Sequence, residues 1–179
     1  MMKLKKFKFK RVKSTNNTAI RIIKESNYKS GMVIAETQTK GRGQYGRKWI
    51  SLKGNLFASF FNELNKTNLS INSITKINCL LVKKLLSKFT SKNILFKKPN
   101  DLLIDKKKIS GILQEVILIK NKKFLITGIG INIINNPTIK DYLTTNLQEV
   151  CKKSISKSEV ENKLKQVFEK NFSKLYKIK

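Results

Sequence analysis

Nine consecutive residues, Gly41-Arg42-Gly43-Gln44-Tyr45-Gly46-Arg47-Lys48-Trp49, gather the scarcest side chains of this 179-residue sequence into one stretch. They include its single tryptophan, three of its eight glycines and two of its four arginines. Glycine lets a backbone approach a ligand closely and adopt dihedrals closed to other residues. Arginine offers a planar, permanently charged donor fork suited to phosphate or carboxylate. An indole beside them supplies a flat apolar lid, so the chemistry pointed to is recognition of an anion that carries rings. Two further clusters follow. One is Lys97-Lys98-Pro99-Asn100-Asp101 with Lys108-Ile109-Ser110-Gly111-Ile112-Leu113, and the other is Gly128-Ile129-Gly130-Ile131-Asn132. Taken singly these have ordinary structural accounts. Pro-Asn-Asp is a common turn, strand glycines make room for a packed neighbour, and Lys108 is one of 35 lysines.

Composition removes several chemistries. The absence of histidine excludes Ser-His-Asp and Cys-His catalysis and histidine-ligated metals. Cys79 and Cys151 stand far apart in apolar or mixed surroundings and read as reduced thiols of a cytoplasmic protein. No segment has the length of a membrane span, and the N-terminus has no uninterrupted apolar core, so no membrane association is expected. The formal net charge of +28 invites a nucleic-acid reading, but 35 of the 39 basic residues are lysine and they are spread along the chain. Lysine, asparagine, isoleucine and phenylalanine share A/T-rich codons, so the bias reflects base composition as well as any need for phosphate contacts.

The elements that must position these clusters are legible from periodicity. Phe7 to Val12 alternates as a half-buried strand. Ser14-Thr15-Asn16 caps a helix carrying Ala19, Ile20, Ile22 and Ile23. Gly31 to Ala35 and Asn55 to Phe61 read as strands flanking the glycine-rich loop. Ile74, Ile77, Leu80, Leu81, Leu85 and Leu86 mark the longest amphipathic helix, from about Ser70 to Phe89. Ile94 to Phe96, then Leu102 to Ile104 with a tight turn at Asp105-Lys106-Lys107, continue the sheet. Ile109–Ile119 and Phe124–Ile133 pair around a Lys120-Asn121-Lys122 turn. The remainder after Pro137, with Ile155, Val160 to Leu164, Val167, Phe168 and Phe172 to Leu175, is expected to be helical. The expected fold is α+β, a mixed, largely antiparallel sheet backed by helices, in a single domain over residues 1–179.

In order, Ser14-Thr15-Asn16, Gln38 to Trp49 with Ser51, Pro99 to Leu103, Lys108 to Leu113 with Glu115, and Gly128 to Asn132 resemble a bacterial biotin protein ligase. The resemblance runs from about residue 12 to 135, with the helical tail matching the end of that family's catalytic domain. It implies the class II biotin/lipoyl ligase-like catalytic fold. It also implies an ATP-dependent activity that joins biotin to ATP as biotinyl-5′-adenylate and passes the biotinyl group to one lysine of a carrier domain. The implied partner is the biotin carboxyl-carrier protein of acetyl-CoA carboxylase, with biotin and ATP as substrates and Mg²⁺ assisting. A homodimer is left open.

Carried across, Ser14, Thr15, Asn16 and Gln38 contact the biotin head. Gly41, Arg42, Gly43 and Gln44 belong to the loop that orders over the ligand, and Trp49 forms the wall between its two halves. Lys108, with Arg42, serves the reacting carboxylate and phosphate, and Gly111 lets a strand pass close to the ligand. Arg47, Asn100, Asp101 and Asn132 fall to the nucleotide. Adenylation brings several negative charges together and needs positioning and charge neutralisation, not histidine.

The sequence departs from the family at Lys98, where many relatives have tryptophan, and at Gln44, where a second arginine is usual. The resemblance leaves no room before residue 12 for the DNA-binding domain of some relatives, so no specific DNA binding is expected. The chain also ends where relatives continue into a small SH3-like barrel. Two other readings compete. A lipoate-protein ligase shares the architecture but usually carries a different arginine-glycine signature. A basic nucleic-acid-binding protein on an old ligase fold would not need the Arg42, Arg47, Trp49, Asn100, Lys108 and Asn132 set.

Overall fold

The computed structural model describes residues 3–64 and 69–176, with side chains described as far as residue 171. Seven strands form one sheet in the order β1-β2-β3-β7-β6-β5-β4. They are β1 (Lys6–Val12), β2 (Ser30–Gln38), β3 (Leu56–Glu63), β4 (Ile94–Lys97), β5 (Asp101–Ile104), β6 (Lys107–Ile119) and β7 (Lys122–Ile131). β1 pairs parallel with β2, and every other adjacent pair is antiparallel. The helices are α1 (Thr15–Glu25), α2 (Ile71–Leu86), α3 (Leu147–Cys151) and α4 (Lys157–Tyr176). The mixed sheet backed by helices is the expected fold class.

Local chemistry sets the boundaries. Ser70 caps α2 by accepting a hydrogen bond from Ser73 N at 3.1 Å. Both tight hairpins use two left-handed residues, Asp105 and Lys106 (φ 49° and 62°) and Lys120 and Asn121 (φ 50° and 60°). Backbone of this hand matches the twist of the strands it joins. Because the second hairpin needs only two turn residues, Lys122 belongs to β7 and pairs with Ile119, not to the turn. At its other end β7 stops at Ile131, short of Ile133. The region after Pro137 departs most from expectation. Residues 137–146 are not helical, and Ile155 lies buried between α3 and α4. The side chains of Phe172 and Leu175 lie outside the described residues.

Asparagine and threonine side chains explain the irregular segment. Asn136 Nδ2 donates to Thr144 O at 3.2 Å, and Asn146 Nδ2 donates to Asn136 Oδ1 at 2.6 Å. Thr144 Oγ1 donates to Pro137 O at 2.5 Å. Side chains that bond nearby backbone offer the chain an alternative to helix.

The two faces of the sheet do different work. On one, α2 and α4 bury the main core, where Phe60 stacks on Phe168 with centroids 4.0 Å apart. Cys79 lies in this core, and burial, with the nearby Asp101 charge, pushes its thiol up to about 12. Cys151 is also unpaired, so both cysteines are free thiols. On the other face, α1 covers Val33, Phe61, Phe124 and Ile126. The first turn of α1 reaches Gly128 of β7 through Asn16, and the space beyond it, over Gly130 and Gly111, is the candidate site. Among the described residues no helix is long and apolar enough to cross a membrane.

Candidate active site

A cavity of about 280 Å³ opens between the N-terminus of α1, the 41–49 loop and the β6–β7 ladder. Its inner end is a chain of polar groups. Ser14 caps α1, and Thr15 N donates to Gln38 Oε1 at 2.8 Å. Gln38 Nε2 reaches Ser51 Oγ at 3.1 Å. Ser59, on β3, donates to Thr15 Oγ1 at 2.7 Å and to Asn16 Oδ1 at 2.5 Å. Asn16 Nδ2 then donates to Glu115 Oε2 at 2.6 Å. The result is a fixed array of donors and acceptors at a helix N-terminus, suited to a small polar head with both N–H and C=O groups.

Trp49 forms the floor of the outer half. Gly111 and Gly130 are cross-strand partners in the β6–β7 register. A Cβ on Gly130 would strike the Cε2 and Cζ2 atoms of Trp49, and one on Gly111 would lie 2.8 Å from Cζ3. The indole therefore lies flat on a patch of sheet from which side chains have been removed. Gly128 does the same for Asn16, whose Oδ1 a Cβ would strike. The glycines thus make room for Trp49 and Asn16, which themselves line the cavity.

Lys108 reaches the cavity through a register irregularity. Leu102 pairs with Ser110 but Leu103 with Lys108, leaving Ile109 as an extra residue. Residues three apart on a regular strand face opposite sides. The bulge shifts that parity, so Ile109 and Ile112 both enter the main core while Lys108 joins Gly111 on the cavity face. Its ammonium lies 2.9 Å from Asp101 Oδ1, 5.4 Å from the centroid of Trp49 and 5.0 Å from that of Tyr142. Its backbone is held by the irregular segment, with Lys108 N donating to Leu143 O at 2.8 Å and Thr145 N donating to Lys108 O at 3.0 Å. The lysine sits between two aromatic rings beside a carboxylate, as a point charge with a defined origin.

The other residues singled out from sequence are distributed as follows. Gly43, Gln44 and Arg47 line the cavity with Asn100 and Asp101. Tyr45, at the loop tip, is 89% exposed with φ 55°, and Gly46 follows at φ 74°. Gln44 Oε1 is buried without a hydrogen-bond partner. Arg42 lines the cavity, and its Nη2 is held 2.6 Å from Glu115 Oε2. Asn100 Nδ2 donates to Ile112 O at 2.7 Å, which braces the edge of β5 against β6. Gly41 and Asn132 do not line the cavity. Gly41 O accepts from Trp49 N at 2.9 Å and closes the base of the loop. Asn132 is buried just past the end of β7, with Nδ2 donating to Thr145 O at 3.0 Å and Oδ1 unpartnered.

Sequence reasoning passed over Ser59, Tyr142 and the role of Glu115. Ser59 had a signal, a polar residue inside the apolar run Phe57 to Phe61. Tyr142 had none, because its segment carries no periodicity. The rim adds Lys48, Lys97, Lys98 and Lys106 to Arg47. The inner cations Arg42 and Lys108 are neutralised by acids while the rim cations crowd the mouth, so an anion is drawn to the outer half.

Comparison with known proteins agrees with this geometry. The profile of the biotin/lipoate A/B protein ligase family matches residues 8–132. The chain is 28% identical over 166 residues to the bifunctional ligase/repressor BirA of Bacillus subtilis, covering 89% of this chain and 51% of that protein. It thus spans about half the length of the Bacillus relatives it matches. A biotin protein ligase from Aquifex aeolicus, solved with biotin and ATP, superposes with a TM-score of 0.78 at 33% identity over 97% of this chain and 72% of that one. The Leishmania major biotin protein ligase in complex with biotinyl-5-AMP gives a TM-score of 0.80 at 25% identity, over 95% and 75%. With a family profile spanning most of its length and a fold shared with these ligases, the chain belongs to the biotin/lipoate A/B protein ligase family.

Proposed function

We propose that this chain is the catalytic domain of a biotin protein ligase, activating biotin with ATP to biotinyl-5′-adenylate and transferring the biotinyl group to a carrier-domain lysine. The observation that carries this reading is the convergence of separate sequence clusters on one cavity with two unlike halves. The inner half, lined by Ser14, Thr15, Asn16 and Gln38 with Ser59 bracing Thr15 and Asn16 from behind, offers the donor and acceptor pattern that a ureido ring needs. The outer half offers an indole face and a cationic rim, which suit a nucleotide. Lys108 stands between the halves, where a carboxylate would meet an α-phosphate.

In this reading the biotin carboxylate oxygen attacks the α-phosphorus of ATP, the phosphoanhydride bond breaks, and pyrophosphate leaves. Lys108 supplies positive charge to the reacting oxygens, and the 41–49 loop keeps water from the mixed anhydride. The carrier lysine amine then attacks the acyl carbon and AMP departs.

No cluster of three metal-binding side chains occurs among the described residues. That donor set still suits Mg²⁺, which keeps much of its water and is held by one or two carboxylates together with substrate phosphates. Asp101, whose carboxylate lines the cavity, would hold it. The ion would supply charge neutralisation to the phosphates.

The partner that fits is the biotin carboxyl-carrier protein of acetyl-CoA carboxylase, in the cytoplasm, where an acidic carrier surface would be steered toward a chain of net charge +28. Incubation with biotin, ATP, Mg²⁺ and a carrier domain, followed by a blot for biotin, tests it. Pyrophosphate exchange run with biotin against lipoate separates it from a lipoate ligase. Exchange supported by lipoate alone overturns it.

A further inference from the structure

We infer that Glu115 is a positioning residue. Its carboxylate fixes the amide of Asn16 and straps Arg42, and with it the glycine loop, across the inner end of the cleft. The starting point is a charge in an unexpected place. The chain has only 11 acidic residues, yet besides Asp101, which pairs with Lys108, Glu115 stands beside a cleft built for anions. An acid there would repel an anionic ligand unless it were neutralised. Glu115 is neutralised, its Oε2 accepting from Arg42 Nη2 and from Asn16 Nδ2, each at 2.6 Å. Both distances are in the short range of charge-assisted bonds.

The two contacts act on different parts of the site. Asn16 is gripped from both sides, its Oδ1 by the buried Ser59 hydroxyl and its Nδ2 by Glu115, with Gly128 leaving space for the group. Its amide therefore has one orientation. Arg42 belongs to a loop that is internally tied. Trp49 N donates to Gly41 O at 2.9 Å, Gly43 N donates to Arg47 O at 2.7 Å, and Arg42 forms a backbone bridge with Lys48. A hold on Arg42 is accordingly a hold on the loop as a unit. Beyond the Glu115 strap, the loop's main attachment to the sheet is the indole resting on Gly111 and Gly130. β6 alternation places Glu115 on the cavity face, four residues along from Gly111.

The Arg42–Glu115 pair is partly exposed, with side chains 40% and 23% accessible. A pair of this kind shifts an equilibrium by about fivefold, not by orders of magnitude. That is too little to decide whether the chain folds and enough to govern how often a loop opens. Its catalytic consequence, on substrate capture, rests on the biotin-activating reading, whereas the strap itself does not.

Hydrogen exchange read by mass spectrometry on the ligand-free chain tests it, using Glu115→Gln, Arg42→Gln and the double variant. Glutamine keeps an acceptor for Asn16 and loses the charge that holds Arg42. Each single variant should raise amide exchange across residues 41–49 about fivefold, with β6 and β7 unchanged. The double variant should exchange no faster than either single one. Wild-type exchange in Glu115→Gln, or a full further increase on the Arg42→Gln background, would overturn the proposal. Biotin-dependent pyrophosphate exchange supplies the second readout. In Glu115→Gln the KM for biotin should rise about fivefold with kcat held, as expected for lost uniform binding, and a loss confined to kcat in that variant refutes the positioning role. Absence of biotin-dependent exchange in the wild type would count against the proposed function alone, with the strap still decided by hydrogen exchange.

Discussion

Gly130→Ala isolates the most unusual piece of packing in the site. The added methyl would overlap Cε2 and Cζ2 of Trp49 well inside any real Cβ contact. β7 cannot yield, because Gly130 is paired with Phe57 of β3 on one side and Gly111 of β6 on the other. The indole must therefore rise by roughly an ångström, the scale of such overpacking. Within a closed core this would cost about 1–3 kcal/mol. Here the strain has an outlet, since Trp49 sits on a loop, so stability should fall by less than that range and the burden should pass to loop closure. A displacement of about 1 Å beside reacting groups can cost on the order of 10²-fold in rate. Trp49 is the only tryptophan, so its emission reports directly on the event. Gly130→Ala should shift that emission toward the red, increase acrylamide quenching and lower kcat/KM for biotin-dependent pyrophosphate exchange by about 10²-fold. Gly128→Ala presses on Asn16 instead and should reduce activity without changing the emission. Unchanged fluorescence and activity in Gly130→Ala would refute the reasoning.

Lys108→Ala should reduce adenylation by roughly 10²–10³-fold, the scale of removing one charge contact in a transition state; near-normal turnover would rule out its assigned role. Gln44→Arg should slow escape of the adenylate by roughly tenfold, because a charged donor replaces an amide whose Oε1 is buried and unpartnered. Quenched-flow measurement of release would show no change if Gln44 lies off the escape route. Burial pushes the Glu161 carboxyl up, but hydrogen bonds from Lys6 and Lys8 and their charges outweigh it and leave the pKa lowered. A carboxyl depressed in the folded state contributes stability above its unfolded pKa and loses it as pH falls through the folded value. The melting temperature should therefore drop below about pH 4.5, the unperturbed carboxylate range, and Glu161→Gln should flatten that part of the profile.

Much of the architecture was legible because it rests on local chemistry. The Ser14 cap and the alternation of β1 stand where the sequence placed them. In α2, Ile74, Leu81, Leu85 and Leu86 of the expected stripe are buried, but Leu80 is exposed while Cys79 and Val82 are buried, and α4, not α2, is the longest helix. Residues 137–146 were misread as part of a helical tail. Their conformation depends on Asn136, Thr144 and Asn146 bonding within the segment, and such bonds leave no periodic trace. Glu115 stood in the motif without a role, because its partners lie 73 and 99 residues away in sequence.

By itself the sequence determined which clusters would meet, since scarce residue types in a fixed order are a property of composition and spacing, and most of those residues line one cavity. It also determined that the chemistry proceeds without histidine. Tertiary structure alone decided which way those residues face. One extra residue at Ile109 turns Lys108 from the core side to the cavity, and strand periodicity read from sequence would place it on the wrong face. Tertiary structure also decided what the glycines are for. Gly111 and Gly130 are 19 residues apart in sequence and meet only in the β6–β7 register, where together they make the bed for Trp49. The physical reason is the same in both cases. Side-chain direction and close approach are set by strand pairing, which couples distant residues, whereas caps, turns and apolar stripes are set by neighbours along the chain.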